Sequence, residues 1–328
     1  MISESAPPTT NPASLQQAVT ALKQGGLVAF PTETVYGLGA DATNAAAIAL
    51  LYEVKGRPAN RPLTVHLANA ADISLWAAEI PPAAQRLVAR FCPGPLTLVL
   101  PRRPEVLDAV TAGQDSVGVR LPSHPLALQL IRAFGGGLVA PSANRSGYLS
   151  PTCAEHVRQE LAGYPVTILD GGPCELGIES TIVDFSQNRP HLLRLGALSH
   201  ELLQQVAGVE IAKPTESSGC QSERHYHPRT PAFCVPTNAL IKRALAQLTH
   251  PEAQIAILHI SPLTLPNRCG VRDLPMPANP LAYGRQLYEI LRYLDSCCLD
   301  AIIMEDLPTD SAWEAVRARV LKATEANA

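Results

Sequence analysis

The sequence predicts an α/β fold in two parts: a larger domain built on a mixed, curved sheet, followed by a small three-layer α/β domain of Rossmann-like pattern. Three observations carry this. Along 13–198, short apolar runs of strand type interleave with segments of helical periodicity, without strict βαβ repetition. At 213–237 the composition shifts to Pro, Ser, His and Arg and apolar periodicity disappears, which reads as a linker. Beyond it, over 238–328, the order helix, strand, helix, strand, helix returns. Residues 1–12 are polar and proline-rich and read as a disordered tail without the basic and apolar regions of a signal peptide.

Each element has its own reason. Leu15, Val19 and Leu22 recur at near-helical spacing behind Ser14, a capping residue, so 14–24 is a helix that Gly25-Gly26 ends. Residues 27–30 are strand-like and stop at Pro31. The alanine-rich stretch 44–54 is helical, with Ile48, Leu51 and Tyr52 on one face. In 63–67, Thr64 and His66 alternate with Leu63, Val65 and Leu67, the pattern of a short strand. Two helices fit between Asn69 and Cys92, and Pro93-Gly94-Pro95 turns the chain into a strand at 96–100. Strand 117–121 carries Arg120, helix 125–134 ends at three glycines, and strand 138–140 runs into Pro141. Strands follow at 166–169, 181–185 and 191–195, and a helix begins after 199. The last domain reads as helices 239–248, 280–294 and 312–323 with strands 255–260 and 301–304.

Composition removes several function classes. A chain of 328 residues with 46% hydrophobic content supports two real cores. The net charge of −3 gives no global polyanion-binding signature. No run of about 18 apolar residues occurs, so no membrane partner is expected. The cysteines form no Cys-x-x-Cys pair, which argues against a zinc finger or disulfide scaffold and for reduced thiols in a cytoplasm. There is no Walker-type loop, no Gly-x-Gly-x-x-Gly and no Gly-x-Ser-x-Gly elbow.

The chemistry-bearing residues fall in a few stretches. Lys55, Arg57 and Arg61 arrive together, and Pro58 and Pro62 forbid a helix there, so the cations sit on a stiff loop suited to a polyphosphate. Pro141-Ser142-Ala143-Asn144 follows an apolar strand, placing a hydroxyl and an amide at a strand end. Arg120 is a cation in an apolar strand; it needs a partner, either a structural carboxylate or that of a small ligand. His66 faces away from Val65, as a core histidine or a ligand contact. Gly171-Gly172-Pro173 opens a glycine-rich loop that leads into Glu179-Ser180-Thr181. In the linker, His225-Tyr226 sets an aromatic among bases.

These stretches together resemble one family. The strings Pro-Thr-Glu-Thr-Val-Tyr-Gly-Leu-Gly from Pro31, Lys55-Gly56-Arg57-Pro58, Pro-Leu-Thr-Val-His ending at His66, Pro-Gly-Pro-Leu-Thr ending at Thr97, Val-Gly-Val-Arg-Leu-Pro around Arg120, Ala-Pro-Ser-Ala-Asn ending at Asn144, and Glu-Ser-Thr-Ile-Val-Asp from Glu179 occur in one order. They are similar to the YrdC-like threonylcarbamoyl-adenylate synthases in their longer, two-domain form. The resemblance implies a YrdC-like twisted mixed sheet with a concave basic face. It also implies synthesis of threonylcarbamoyl-adenylate and pyrophosphate from L-threonine, bicarbonate and ATP, for threonylcarbamoyladenosine at position 37 of tRNA. A catalytic tetrad Lys55, Arg57, Ser142 and Asn144 follows from it. So do ATP contacts by Arg57, Arg61, Ser116, Ser142, Ser150, Arg194 and Tyr226, and a threonine site of Thr34, His66, Arg120, Ala140 and Ser180. Residues 199–237 are implied to form a helix and a linker that crosses the active site. Mg²⁺ is expected with ATP, no organic cofactor is expected, and a downstream tRNA threonylcarbamoyl-transferase machinery is the expected partner. The rival readings are a double-stranded RNA or tRNA-binding module without ATP chemistry, and a carbamoyltransferase, which calls for Cys pairs or an acylphosphatase segment that this sequence lacks.

Overall fold

The computed structural model describes residues 12–213, 225–248, 250, 252–263 and 270–324. The expected tail and the linker stretch at 214–224 therefore lie outside the described residues. The chain divides into two compact units. One holds Met1–Ser146 and Ser150–Gln221; the other holds Gly147–Leu149 and Ser222–Ala328.

The first unit is built from strands β1 (Leu27–Phe30), β2 (Gly37–Asp41), β3 (Thr64–His66), β4 (Leu96–Pro101), β5 (Ser116–Arg120), β6 (Leu138–Val139), β7 (Val166–Ile168), β8 (Thr181–Asp184) and β9 (His191–Arg194). Its helices are α1 (Pro12–Lys23), α2 (Ala45–Lys55), α3 (Pro82–Phe91), α4 (Asp108–Thr111), α5 (Pro125–Phe134), α6 (Ala154–Glu160) and α7 (His200–Ala207). The strands form one sheet in the order β7-β1-β2-β6-β3-β5-β4-β8-β9. Pairing is mixed: β3 with β5 and β4 with β8 run parallel, while β3 with β6 and β4 with β5 run antiparallel.

Alternation along these strands sorts the side chains. Leu27 and Ala29 join Val65, Val119, Leu98, Val139 and Val183 in the main core. Val28 and Phe30 point the other way and pack with Leu138, Ala140 and residues of α1 and α5 in a second core. That second core covers only part of its face. Leu138 pairs with His66, His66 with Arg120, and Arg120 with Thr97. Directly paired residues share a face, so the row turns from apolar to polar at β3 while its reverse side stays in the core.

Several elements differ from the sequence expectation, among them the short helices α4 and α6, which were not read from the sequence. β2 is rich in glycine and was not read as a strand, yet it pairs with β1 and β6. Glycine is needed there because a Cβ on Gly39 would lie 2.8 Å from the Phe30 ring. One of the two helices expected between Asn69 and Cys92 is a six-residue 3₁₀ helix at Ala70–Leu75. Residues 232–235, assigned to the linker by composition, form β10, and the polar run 271–275 forms β12, an edge strand without an apolar face.

The second unit contains β10 (Ala232–Val235), α8 (Leu240–Gln247), β11 (Ile255–His259), β12 (Val271–Pro275), α9 (Pro280–Asp295), β13 (Ala301–Glu305) and α10 (Glu314–Thr324). All four strands are parallel, in the order β10-β13-β11-β12. Ile255, Ile257, Ala301 and Ile303 pack with Leu240 and Ala244 of α8. The alternate residues Ala256, Leu258, Ile302 and Met304 are also fully buried. The chain leaves the carboxyl ends of neighbouring β11 and β13 in opposite directions, toward β12 and toward α10, the place where such sheets receive ligands. Here the carboxylate of Glu305 fills it. It accepts from the Ile260 and Ser261 N–H groups and from the Thr237 and Ser261 hydroxyls at 2.5–2.9 Å.

Candidate active site

Two clusters arise in the first unit, one from the polar row and one from the end of α2. The first centres on Arg120, the last residue of β5. Its Nη2 donates to Glu33 Oε1 and to Thr34 Oγ1, both at 2.8 Å. Arg120 is 6% exposed and Glu33 4%, so this is a buried ion pair. Such a pair requires its remaining lone pairs to be satisfied; Glu33 Oε2 accepts from the Ser123 N–H at 3.0 Å. The loop that delivers Glu33 and Thr34 is folded by Thr32. Its hydroxyl donates to the Val35 carbonyl, accepts from the Thr34 and Val35 N–H groups, and lies 2.8 Å from Thr34 Oγ1. A hydroxyl turn of this kind competes with strand pairing, which is why the chain leaves the sheet between β1 and β2.

His66 lies beside Arg120 in register. Burial, and then the Arg120 charge, push its pKa down to about 3, so the ring is neutral at pH 7. Its Nδ1 is 3.2 Å from the Thr64 carbonyl and must carry the proton to make that bond. Nε2 is therefore a lone-pair acceptor. Phe30 meets the ring edge-on at 6.1 Å. Ala140 donates its backbone N–H to Thr64 O.

On the far side of Arg120 the row continues. Thr97 Oγ1 is 2.8 Å from Ser180 Oγ, and Arg194, at the end of β9, donates Nε to the Ser180 carbonyl and Nη2 to its hydroxyl. Gly196 closes this corner. A Cβ there would lie 2.5 Å from both Glu179 O and Thr181 N, so only glycine lets the chain after β9 approach so closely.

The second cluster forms where α2 ends. Lys55 is 2% exposed, and its Nζ donates to the backbone carbonyls of Ser142 and Asn144. Burial, then the nearby Arg57 charge, lower its pKa to about 7. The carbonyls that receive it follow β6, and Ser142 makes a bridge to Gly37 at the start of β2. The loop after α2 is held by its own carbonyls: Arg57 donates to Arg61 O and Pro62 O, and Tyr52 donates to Arg61 O at 2.6 Å.

The expected residues thus fall into groups. Lys55, Ser142 and Asn144 are brought together, with Arg57 and Arg61 on the adjoining loop. His66 and Arg120 are paired in the row, Thr34 bonds to Arg120, Ser180 joins through Thr97, Ala140 is tied by its N–H to Thr64 O, and Arg194 is tied to Ser180. Ser150 is fully buried, its hydroxyl donated to Glu179 Oε1 at 2.7 Å. Ser116 starts β5, four residues from Arg120 and thus roughly 13 Å along the strand. Tyr226 belongs to the second unit, where it adopts left-handed backbone (φ 64°), stacks on Tyr288 at 5.8 Å and lies under the Arg319 guanidinium.

Three residues of these clusters carried no assigned role in the sequence reading: Glu33, Thr97 and Glu179. A signal existed for the first. Glu33 and Arg120 are isolated charges in otherwise uncharged strand or loop runs, and each demands a buried partner. Thr97 stands on the same strand face as Val99 and had no distinguishing mark.

The mixed sheet, with a buried guanidinium at the centre of its polar row and a desolvated lysine beside a strand end, matches a two-domain α/β protein of the YrdC-like class. Residues 20–196 match the family described as "Telomere recombination", and residues 198–325 match "Threonylcarbamoyl-AMP synthase, C-terminal domain". Among curated proteins, the threonylcarbamoyl-AMP synthase of Bacillus subtilis is 37% identical over 96% of this chain and 94% of its own length. That of Pyrococcus abyssi is 36% identical over 92% of each. A solved structure of P. abyssi Sua5 complexed with L-threonine covers 95% of this chain and 94% of its own at a TM-score of 0.83 and 36% identity. A double variant of the same protein gives 0.86 at 34% identity. The chain belongs to the two-domain threonylcarbamoyl-AMP synthase family.

Proposed function

We propose that this chain is an L-threonylcarbamoyladenylate synthase, a nucleotidyltransferase. It converts L-threonine, bicarbonate and ATP to threonylcarbamoyl-AMP, pyrophosphate and water. The observation that carries this reading is the register row in which His66, Arg120 and Thr97 stand side by side and Thr97 reaches Ser180. An amino acid fits it by charge and hydrogen bonding: its carboxylate goes to the guanidinium, and its polar hydrogens face the His66 lone pair and the hydroxyls of Ser180 and Thr34. The P. abyssi relative complexed with L-threonine supports that assignment.

The chemistry needs no side-chain nucleophile. The threonine amine adds to CO₂ released from bicarbonate and forms a carbamate. A carbamate oxygen then attacks the α-phosphate of ATP, and the bond to pyrophosphate breaks. The protein's part is positioning and charge neutralisation. Lys55 and Arg57 stand where a polyphosphate meets the end of α2, with Arg61 beside them; Ser142 and Asn144 lie at the same strand end. Ser116, Ser150 and Arg194 are assigned to the nucleotide as well, Arg194 through a guanidinium that also fixes Ser180.

Among the described residues no group of three or more His, Cys, Asp or Glu could hold a metal ion. In this reading Mg²⁺ accompanies the triphosphate as part of the substrate. The product serves threonylcarbamoyladenosine formation at position 37 of tRNA, through a separate transferase machinery, in the cytoplasm. No described helix is long and apolar enough to cross a membrane. The RNA-binding alternative draws no support from the named relatives.

The test is pyrophosphate release that depends jointly on threonine, bicarbonate and ATP. Arg57→Ala should lower turnover by roughly two to three orders of magnitude, the usual effect of losing one transition-state donor. Wild-type turnover in that variant refutes the assigned role.

A further inference from the structure

The chain uses the three nitrogens of Arg120 unequally. Nη2 is bonded twice, to Glu33 and Thr34. Nε is sealed from solvent without a hydrogen-bond partner. Nη1 makes no bond to any described residue, and it is not among the sealed atoms. One edge nitrogen is therefore open on the polar face while the other is occupied. Glu33 cannot turn away to change this, because its second oxygen is held by the Ser123 N–H on the chain just after β5. Thr34 is fixed in turn by Thr32.

We infer that Glu33 is a positioning residue for the amino-acid substrate: it clamps the Arg120 guanidinium so that Nη1 faces the substrate carboxylate. This rests on the threonine reading above. It also goes against simple electrostatics. A second carboxylate beside the guanidinium repels the substrate's own, so if charge alone mattered, removing Glu33 would tighten threonine. Clamping predicts the reverse, since an arginine without its clamp samples several rotamers and must lose that freedom on binding.

The variant is Glu33→Gln, which keeps the shape and one acceptor oxygen but cannot accept from Ser123 N–H while still facing Arg120. Threonine and threoninol, in which the carboxylate is a hydroxymethyl group, are titrated by calorimetry into wild type and variant, and steady-state kinetics are run with both substrates. Glu33→Gln should weaken threonine roughly ten- to hundredfold, the range for a charge-assisted hydrogen bond. It should leave threoninol affinity and the KM for ATP within about twofold and retain kcat at saturating threonine. Unchanged or tighter threonine binding overturns the inference, and so does an equal loss for threonine and threoninol, which marks a merely structural role. Should Glu33→Gln not fold, Glu33→Asp, long enough to reach only one of its two partners, is read by the same selective loss. If wild type binds no threonine at all, the functional reading fails before Glu33 is at issue.

Discussion

Lys55 gives the sharpest test of the proposed nucleotide end of the site. Its amine is buried against two carbonyls, and burial together with Arg57 lowers its pKa to about 7. At pH 8, about nine in ten molecules hold it neutral. A polyphosphate seated beside it favours the charged form and returns the pKa toward the ordinary lysine value near 10.4. ATP binding at pH 8 should then take up about 0.9 of a proton, falling to about half a proton at pH 7. Calorimetry in buffers of different ionisation enthalpy reads this uptake directly. Lys55→Met should abolish it and flatten the pH dependence of ATP affinity, which in wild type weakens by up to about tenfold per unit above pH 7. The sign for stability follows from the same shift. Between about 7 and 10.4 the unfolded chain holds a proton that the folded chain does not, so unliganded stability rises with pH across that window. Proton-silent ATP binding in wild type at pH 8 refutes the reasoning, since it leaves Lys55 either charged throughout or remote from the phosphates.

Other outcomes follow from single contacts. Thr97→Val removes the hydroxyl 2.8 Å from Ser180 Oγ at nearly constant volume, and should raise the KM for threonine several-fold, about 1 kcal/mol, with the melting temperature changed by only a few degrees. Gly196→Ala places a methyl 2.5 Å from backbone atoms of 179 and 181, and should cost about 1–3 kcal/mol in denaturant unfolding while disturbing Ser180. Glu305→Ala leaves two N–H groups and two hydroxyls without their acceptor and should destabilise the second unit by about 2–4 kcal/mol, read by a loss of amide-exchange protection on β11 and β13. Burial alone would raise the Glu305 pKa, but the Ser261 and Thr237 hydrogen bonds outweigh it and hold it below the ordinary value. Its stabilisation is thus present at neutral pH and lost as pH falls through the depressed pKa, so the second unit should unfold in acid at a lower pH than a carboxylate of ordinary pKa would set.

The sequence made the strands of the first unit legible where their residues were β-branched or apolar, and hid them elsewhere. β2 is Gly-Leu-Gly-Ala-Asp, low in intrinsic β-propensity; it is a strand because Phe30 of the neighbouring strand fills the space a side chain would take. β12 carries Arg272 and Asp273 and has a partner on one edge only, so its polar pattern read as loop. In both cases tertiary pairing overrode local preference. The composition of 225–235 concealed β10 in the same way, because the prolines that flank the strand dominate its window.

The site shows a different division between what the residues declared and what only pairing could reveal. An arginine in an apolar strand announces that it needs a partner, but it cannot say which. The structural carboxylate is the partner observed: Glu33 takes Nη2, while Nη1 makes no bond to a described residue. Period-2 alternation placed His66 opposite Val65, and a one-residue slip of β3 against β5 would have sent it into the main core. Register therefore decides whether this sheet has a site at all. It puts His66, Arg120 and Thr97 in one line only because Val65, Val119 and Leu98 are held together on the reverse face. The apolar residues that show no sign of function are what set the polar ones side by side, and moving any one of these three strands by a residue would dissolve the row without altering a single polar group.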